Sequence, residues 1–323
     1  MGIFDERLVY KPSEYPDADK LRLKLTHSFW THDELTFEGD KVDIHNLKPH
    51  EKDVVIRTLT LIATIEVKVK DFWSQLGTHF PKPEFKNLGA TAAESEVRHS
   101  ESYDRLLEVL GLYDFYNEAL ENEFISGRFN YLDKYLKLSP NNSDKSKYLL
   151  KLILFSVLIE NVSLFSQFAT IMYFYRHNGF MKDIRNIVKW TAIDEQLHFN
   201  IGVLIVSTIR KEYPEMFTEE LNNEVYRACK KAIKYEEELM SWVFENGELE
   251  KMSKKSLNGY MKSRVNESLE QLGFERIFDD VGDISEVDFF YEEVFADSQD
   301  DFFAIRPVDY TLKNEAIDGD SIF

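Results

Sequence analysis

The chain contains one cysteine, Cys229, in 323 residues. A single thiol excludes an intrachain disulfide and any metal site built from several cysteines. Glycine and proline are also scarce, at 13 and 8 residues. With so few turn-forming residues the chain must run in long elements. Positive charge is short as well: 39 Lys and Arg stand against 58 Asp and Glu, a net charge of −19. Binding to a phosphate backbone requires a basic face, so nucleic acid is not an expected partner. No uninterrupted apolar run reaches the roughly 20 residues that span a bilayer. The opening MGIFDERLVY has no basic segment leading into an apolar one, so neither a membrane span nor a secretory signal is expected. A reducing, cytoplasmic location fits this cysteine usage.

Apolar residues make up 43% of the chain, enough for a large core, and they recur with the 3.6-residue period of helices. Val55, Leu59, Ile62, Glu66, Val69, Trp73 and Leu76 define one helical face, on a helix expected over about 53–76. A loop, GTHFPKPEFKNLG, should end it. Ala92, Glu96, His99, Tyr103, Leu106 and Leu110 define a second face, with Gly111 as its stop. After a less regular region around YDFYNEALENEF and a loop at 139–144, Ile153, Val157, Glu160, Leu164, Phe168 and Ile171 define a third. A fourth carries Ile184, Val188, Thr191, Glu195, His198, Gly202 and Ile205. Two more helices are predicted near 220–246 and 255–271. Residues 1 to about 50 read as an irregular arm. The expected organisation is one all-α domain over 1–295 and a flexible tail over 296–323.

Four of these faces carry residues that do not belong in a greasy stripe. Glu66 and Glu160 each sit alone on theirs. Glu96/His99 and Glu195/His198 form two Glu-x-x-His pairs, and no other histidine here has a glutamate three residues before it. Burying an unpaired carboxylate costs several kcal/mol or more, so six ionisable groups on core stripes require counter-charge. Two divalent ions supply it. Glu and His three apart project from the same side of a helix and can reach one ion, and this ligand set suits a dinuclear site inside a helix bundle. Oxygen-rich, nitrogen-poor ligation favours manganese or iron. A lone Glu-x-x-His is usually a surface contact. Glu66 could instead be neutralised by Lys70, and Glu160 capped by a polar neighbour such as Asn161, but their company favours metal.

The order Trp30, Glu66, Glu96-x-x-His99, Tyr103, Glu160, Asp194-Glu195-x-x-His198, with the strings HSFWTHDEL, HEKDVVIRTL, ESEVRHSESY and AIDEQLH, resembles the small, radical-generating subunit of class I ribonucleotide reductase. The resemblance implies a ferritin-like helical bundle. It implies that Glu66, Glu96, His99, Glu160, Glu195 and His198 hold two metal ions, and that Tyr103 occupies the place of the radical tyrosine. It also implies that Asp194 hydrogen-bonds His99, that Trp30 relays an electron, and that Leu164 and Phe168 keep the surroundings apolar. The tail would dock on the large subunit, with Tyr310 as its relay tyrosine and Tyr291 as a competitor. A homodimer is implied too. The product of the pair would be deoxyribonucleotides, made by a cysteine of the large subunit that this chain oxidises.

One departure stands out. Common members of that family have Asp where this chain has Glu66, and Glu66 together with a retained Tyr103 resembles the dimanganese subclass. A Mn/Mn pair therefore ranks first, Fe/Fe with a tyrosyl radical second, and Mn/Fe third. The rival reading is a ferritin-like dinuclear-metal oxidase or monooxygenase, which needs an accessible pocket and no docking tail. Iron storage and a non-catalytic helical module are further alternatives. The first requires a shorter chain, and the second leaves the six buried ionisable groups unexplained.

Overall fold

The computed structural model describes residues 2–136 and 144–301. It is helical throughout, and among the described residues the only β-type pairing is an isolated bridge between Leu249 and Met252. The helices are α1 Pro16–His27, α2 Glu38–Asn46, α3 Pro49–Ser74, α4 Leu76–His79, α5 Pro83–Leu110, α6 Tyr113–Ala119 and α7 Glu123–Leu136. There follow α8 Lys145–Leu154, a π-helical segment Phe155–Ser163, α9 Leu164–Asn178, α10 Lys182–Glu212, α11 Glu219–Val243, α12 Lys254–Gln271 and α13 Asp288–Asp301. The four stripes thus lie on α3, α5, the continuous run α8–π–α9, and α10. Gly111 and Gly179 end α5 and α9 in the left-handed conformation, with φ of 67° and 71°, which glycine adopts without steric penalty.

Several expectations need correction. The arm is not irregular: α1 and α2 lie within it, and α1 packs on α5 and α10. Pro16 opens α1 at its first turn, a position where the missing N–H costs nothing. The loop expected after α3 shrinks to a few residues, because α4 follows at once and Pro83 starts α5. The region around YDFYNEALENEF forms α6 and the start of α7. Of the expected 139–144 loop, 139–143 fall outside the described residues, and Asp144 caps α8 by accepting from the Ser146 and Lys147 N–H groups. The helix α13 runs to Asp301, so its C-terminal end takes in the first six residues, 296–301, of the expected tail. The remainder, 302–323, with Tyr310, lies outside the described residues.

The run Lys145–Asn178 is long and apolar enough, at a mean hydropathy of 1.8, to pass for a membrane span. Its apolar surface is directed inward instead: of the 18-residue window within it that has this hydropathy, 89% is buried in the protein. It packs against α3, α10 and α12, so every side must be apolar. Close approach of α10 depends on Gly202, where a Cβ would fall 2.6 Å from the Ser156 Cβ in the π segment.

The N-terminus of α10 is capped by another helix. Met181, at its start, has φ 58°. Asp40 of α2 accepts from the Asp183 and Ile184 N–H groups at 3.2 and 2.5 Å, and Asp43 from Met181 N–H at 2.9 Å. Asp183 returns the contact by accepting from Thr36 and Phe37 N–H. Buried carboxylates on a helix N-terminus satisfy orphan donors and the positive end of the helix dipole. Asp40→Ala should therefore destabilise the fold by about 1–2 kcal/mol, read as a lower midpoint in chemical denaturation. An unchanged midpoint would mean that the cap is dispensable.

Candidate metal centre

Five of the six candidate ligands come from the interior of long α-helices, where the backbone is fully hydrogen-bonded, and the sixth, Glu160, comes from the π segment. Glu66 comes from α3, Glu96 and His99 from α5, Glu160 from the π segment, and Glu195 and His198 from α10. All six are 0% exposed. They fall into two overlapping groups whose ligand atoms lie within 4.8 Å of one another: Glu66, Glu96, His99 and Glu195, and Glu96, Glu160, Glu195 and His198. Glu96 and Glu195 belong to both groups, and each turns one oxygen toward His99 and the other toward His198, so they could be shared by two ions. His99 Nδ1 is 3.3 Å from Glu96 Oε2, 3.2 Å from Glu195 Oε1 and 3.7 Å from Glu66 Oε2. His198 Nδ1 is 3.0 Å from Glu96 Oε1 and Glu195 Oε2, and 3.5 Å from Glu160 Oε2.

Both alternatives to metal binding weaken here. Neither oxygen of Glu66 has a hydrogen-bond partner, so Lys70 does not neutralise it. Asn161 turns away from Glu160 and bonds Ser268 and Arg264. Six carboxylate oxygens, on Glu66, Glu96, Glu160 and Glu195, lack hydrogen-bond partners, as does His99 Nδ1. Buried acceptors left in this way are a cost that cations remove. The donor set fits two ions.

The ligands are oriented from behind. His99 Nε2 lies 3.2 Å from Asp194 Oδ2, and His198 Nε2 lies 2.8 Å from Ser95 Oγ. These contacts leave both Nδ1 atoms facing the carboxylates. Trp73 Nε1 donates to Glu160 Oε1 at 2.8 Å. Asp194 in turn accepts from Trp30 Nε1 at 3.0 Å and from Ser28 Oγ at 2.8 Å, with Arg98 Nη1 at 3.6 Å. The Trp30 indole stacks on the His99 ring, with centroids 5.8 Å apart and planes 14° apart. Tyr103 is buried and its hydroxyl has no hydrogen-bond partner. Leu164 and Phe168 are buried in the core. Tyr291 does not lie in a tail: it sits on α13, where its hydroxyl accepts from Arg264 Nη1 at 2.8 Å.

Trp73, Ser95, Ser28 and Arg98 were not singled out from the sequence. Trp73 shares a stripe with Glu66 but reads as packing, and Ser95 is a common residue beside Glu96. Only the fold shows which side chains stand behind a ligand.

Without ions, charge in the cluster would be shared as protons. Burial outweighs the attraction of His99 and pushes the Glu66 carboxyl up to about 8. Burial, then the charges of Glu96 and Glu160, push Glu195 well above the carboxylate range. Burial also opposes ionised Glu96, but His198 and His99 beside it hold it down to about 2. Burial disfavours both imidazolium ions, yet the surrounding carboxylates win: His198 rises to about 10 and His99 well above its ordinary value.

Four helices that bring four carboxylates and two imidazoles to two adjoining ion positions define a ferritin-like dinuclear-metal protein. The family model for the ribonucleotide reductase small chain matches residues 7–284, and this chain belongs to that family. It is 27% identical to a probable ribonucleoside-diphosphate reductase small subunit, 048L, of Invertebrate iridescent virus 3, covering 94% of this chain and 84% of that protein. It is 25% identical to the ribonucleoside-diphosphate reductase subunit beta of Chlamydia pneumoniae, over 83% of this chain and 74% of the relative. Among solved structures, a putative class I ribonucleotide reductase from Bacillus halodurans superposes with a TM-score of 0.79 at 20% identity, covering 87% of this chain and all of that one. The dimanganese(II)-NrdF of Streptococcus sanguinis superposes with 0.74 at 17% identity, covering 88% and 97%. These superpositions show a shared fold.

The protons also set a pH dependence. Folded Glu66 keeps its proton up to about 8, against 4.5 for an ordinary Glu, and His198 keeps its proton up to about 10, against 6.5. In both windows the folded state binds more protons than the unfolded state, so stability falls as pH rises. Glu96 works the other way, but only below its ordinary value of 4.5. The ion-free chain should therefore lose thermal stability from about pH 6.5 to pH 8, where the two windows overlap. Metal ions replace these protons and bind more tightly at higher pH, so the gap in Tm between loaded and chelator-treated protein should widen over this range. Calorimetry at several pH values measures it, and parallel curves would refute the proton assignment.

Proposed function

We propose that this chain is the radical-generating subunit of a class I ribonucleotide reductase that acts on ribonucleoside diphosphates, and that it holds a pair of manganese ions. One observation carries the reading: the six ligands and the Trp30–Asp194–His99 connection form a single contiguous unit inside a dry core. An oxidase acting on a bound substrate has no use for an indole held against a ligand-bonded aspartate on the side of the N-terminal arm.

When bound, the metal pair supplies a one-electron oxidant. The protein's task is to hold that oxidant and give it one exit. Glu96 and Glu195 would be shared by both ions, with Glu66 and His99 holding one of them and Glu160 and His198 the other. Four carboxylates are hard donors that suit manganese and stabilise high oxidation states. The longer Glu side chain at position 66 adds reach to one of them. Ile, Leu and Phe side chains around the ligands exclude water by ordinary packing.

Trp30 is the exit. Its Nε1 proton already faces Asp194 Oδ2 at 3.0 Å, so loss of an electron from the indole can be matched by a short shift of that proton. Ser28, Arg98 and His99 hold Asp194 for this purpose. Tyr103 is a poorer site for a stored radical. Its hydroxyl is buried beside Thr191, a neutral hydroxyl, and among the described residues no carboxylate or imidazole is hydrogen-bonded to it as an acceptor for its proton.

The chemistry at the ribose needs a thiol that this chain does not offer. Cys229 is buried and its thiol is pushed up to about 12 by burial, so it stays protonated and inert. A cysteine of the large subunit fills that role. We assign docking on the large subunit to the segment 296–323 and the relay through it to Tyr310. The anchoring of Tyr291 by Arg264 supports Tyr310 over its competitor. Exposed Val67 on α3, exposed Val97 on α5, and Phe29 beside Arg98 support a homodimer packed on these helices.

Elemental analysis and EPR of the oxidised protein test the metal assignment. Two manganese per chain and a multiline manganese spectrum are expected. An iron pair with a tyrosyl doublet would reject it. The exit is tested separately by Trp30→Phe, which should keep both ions but lower reductase activity with the large subunit by at least about 100-fold. Near-normal turnover would remove Trp30 from the path.

A further inference from the structure

The ligand Glu160 comes from Phe155–Ser163, the one π-helical segment among the described residues. In a π turn the i→i+5 bonding widens the backbone and leaves its groups misaligned with the usual partners. At the next residue, Asn161, a second helix takes hold of that turn. Arg264 of α12 donates from Nε to the Asn161 backbone carbonyl at 2.5 Å and from Nη2 to the Asn161 side-chain oxygen. Asn161 Nδ2 donates to Ser268 Oγ at 2.5 Å, and Ser268 Oγ donates to the Arg264 carbonyl at 2.6 Å. Both the backbone and the side chain of Asn161 are thus fixed from α12.

The third arm of the guanidinium points elsewhere. Nη1 donates to Tyr291 Oη on α13 at 2.8 Å. Tyr291 itself packs on Tyr260 and Phe295, with ring centroids 5.9 and 6.0 Å away. Arg264 is 2% exposed and its CZ lies 3.7 Å from the centroid of the Phe165 ring. No carboxylate forms an ion pair with it among the described residues. A buried cation without a carboxylate partner is expensive. An apolar residue would fill the space at lower cost, so the charge and the fork must be retained for what they hold.

We propose that Arg264 is a positioning residue that ties α13 to the ligand Glu160: its fork sets the wide turn at Asn161 and its remaining N–H is keyed to Tyr291. The ion held by Glu160 and His198 therefore responds to the placement of α13, while the ion held by Glu66 and His99 does not. Because α13 leads directly into the segment assigned to docking, a pull on that segment reaches one ion of the pair. This rests on the reading of Glu160 as a ligand.

Manganese(II) titration of the full-length protein, followed by the EPR signal of free ion, tests the proposal together with hydrogen exchange of metal-free protein. Tyr291→Phe removes only the last link and keeps the ring. It should weaken one of the two ions by about threefold and raise amide exchange within 155–163. Arg264→Met should weaken that same ion by about 10- to 100-fold, the range for partners behind a ligand, with the other ion held as in the wild type. Arg264→Lys keeps the charge but not the fork and should fall close to Arg264→Met. The proposal is overturned if Tyr291→Phe leaves both affinities and exchange in 155–163 unchanged, or if Arg264→Met weakens both ions equally. If Arg264→Met does not fold, Tyr291→Phe decides alone. If wild-type protein binds no manganese, it is the ligand reading that fails, and exchange at 155–163 in Tyr291→Phe still decides whether α13 and the π turn are linked.

Discussion

The repulsion among four carboxylates in a water-free interior governs this molecule. Glu66, Glu96, Glu160 and Glu195 lie close enough to share two ions, with no solvent to screen them. Protons relieve the strain when ions are absent, and divalent cations do so with far greater charge. Other features follow from keeping that arrangement in place. All of these groups but Glu160 sit in the interior of α-helices, where a rigid backbone resists their mutual repulsion. Ser95, Asp194 and Trp73 stand behind them because an imidazole or carboxylate free to rotate would lose the geometry that two ions need.

The same constraint shapes the packing. The helical run from Lys145 to Asn178 is apolar on nearly all sides because helices surround it, and its composition would suit a bilayer equally well. Its Glu160 reaches the centre from a widened turn. Gly202 admits that turn against α10, and Arg264 fastens it to α12 and α13. The N-terminal arm is also part of the working unit. Its α1 rests on α5 and α10, and the residues after it bring Ser28 and Trp30 onto Asp194. Further along, Asp40 and Asp43 of α2 hold the start of α10, the helix that carries Asp194, Glu195 and His198.

Much of the centre is legible in the sequence because helical periodicity is local. Glu66, Glu96, His99, Glu160, Glu195 and His198 each interrupt an apolar stripe, and the interruption alone marks them. The arm reads as irregular for a related reason: α1 and α2 are short and polar, with weak stripes, and their helicity is stabilised by docking on α5 and α10. The π turn left no mark in the pattern, since Phe155–Ser163 is buried on every side and a change of period has no polar face to reveal it. Arg264 gives no signal, because a lone arginine on a mixed helix reads as a surface charge, and Tyr291 reads as a relay tyrosine and not as an anchor for Arg264.

The sequence by itself determined that the chain is a set of long helices and which six side chains need counter-ions, because hydrogen bonding and amphipathicity act within a few turns. The tertiary structure decided which carboxylates are shared between the two ion positions, which groups stand behind each ligand, and how the arm and the last helix connect to them. Those facts depend on distances between helices that are far apart in the chain, and a one-dimensional pattern of polar and apolar residues does not encode such distances.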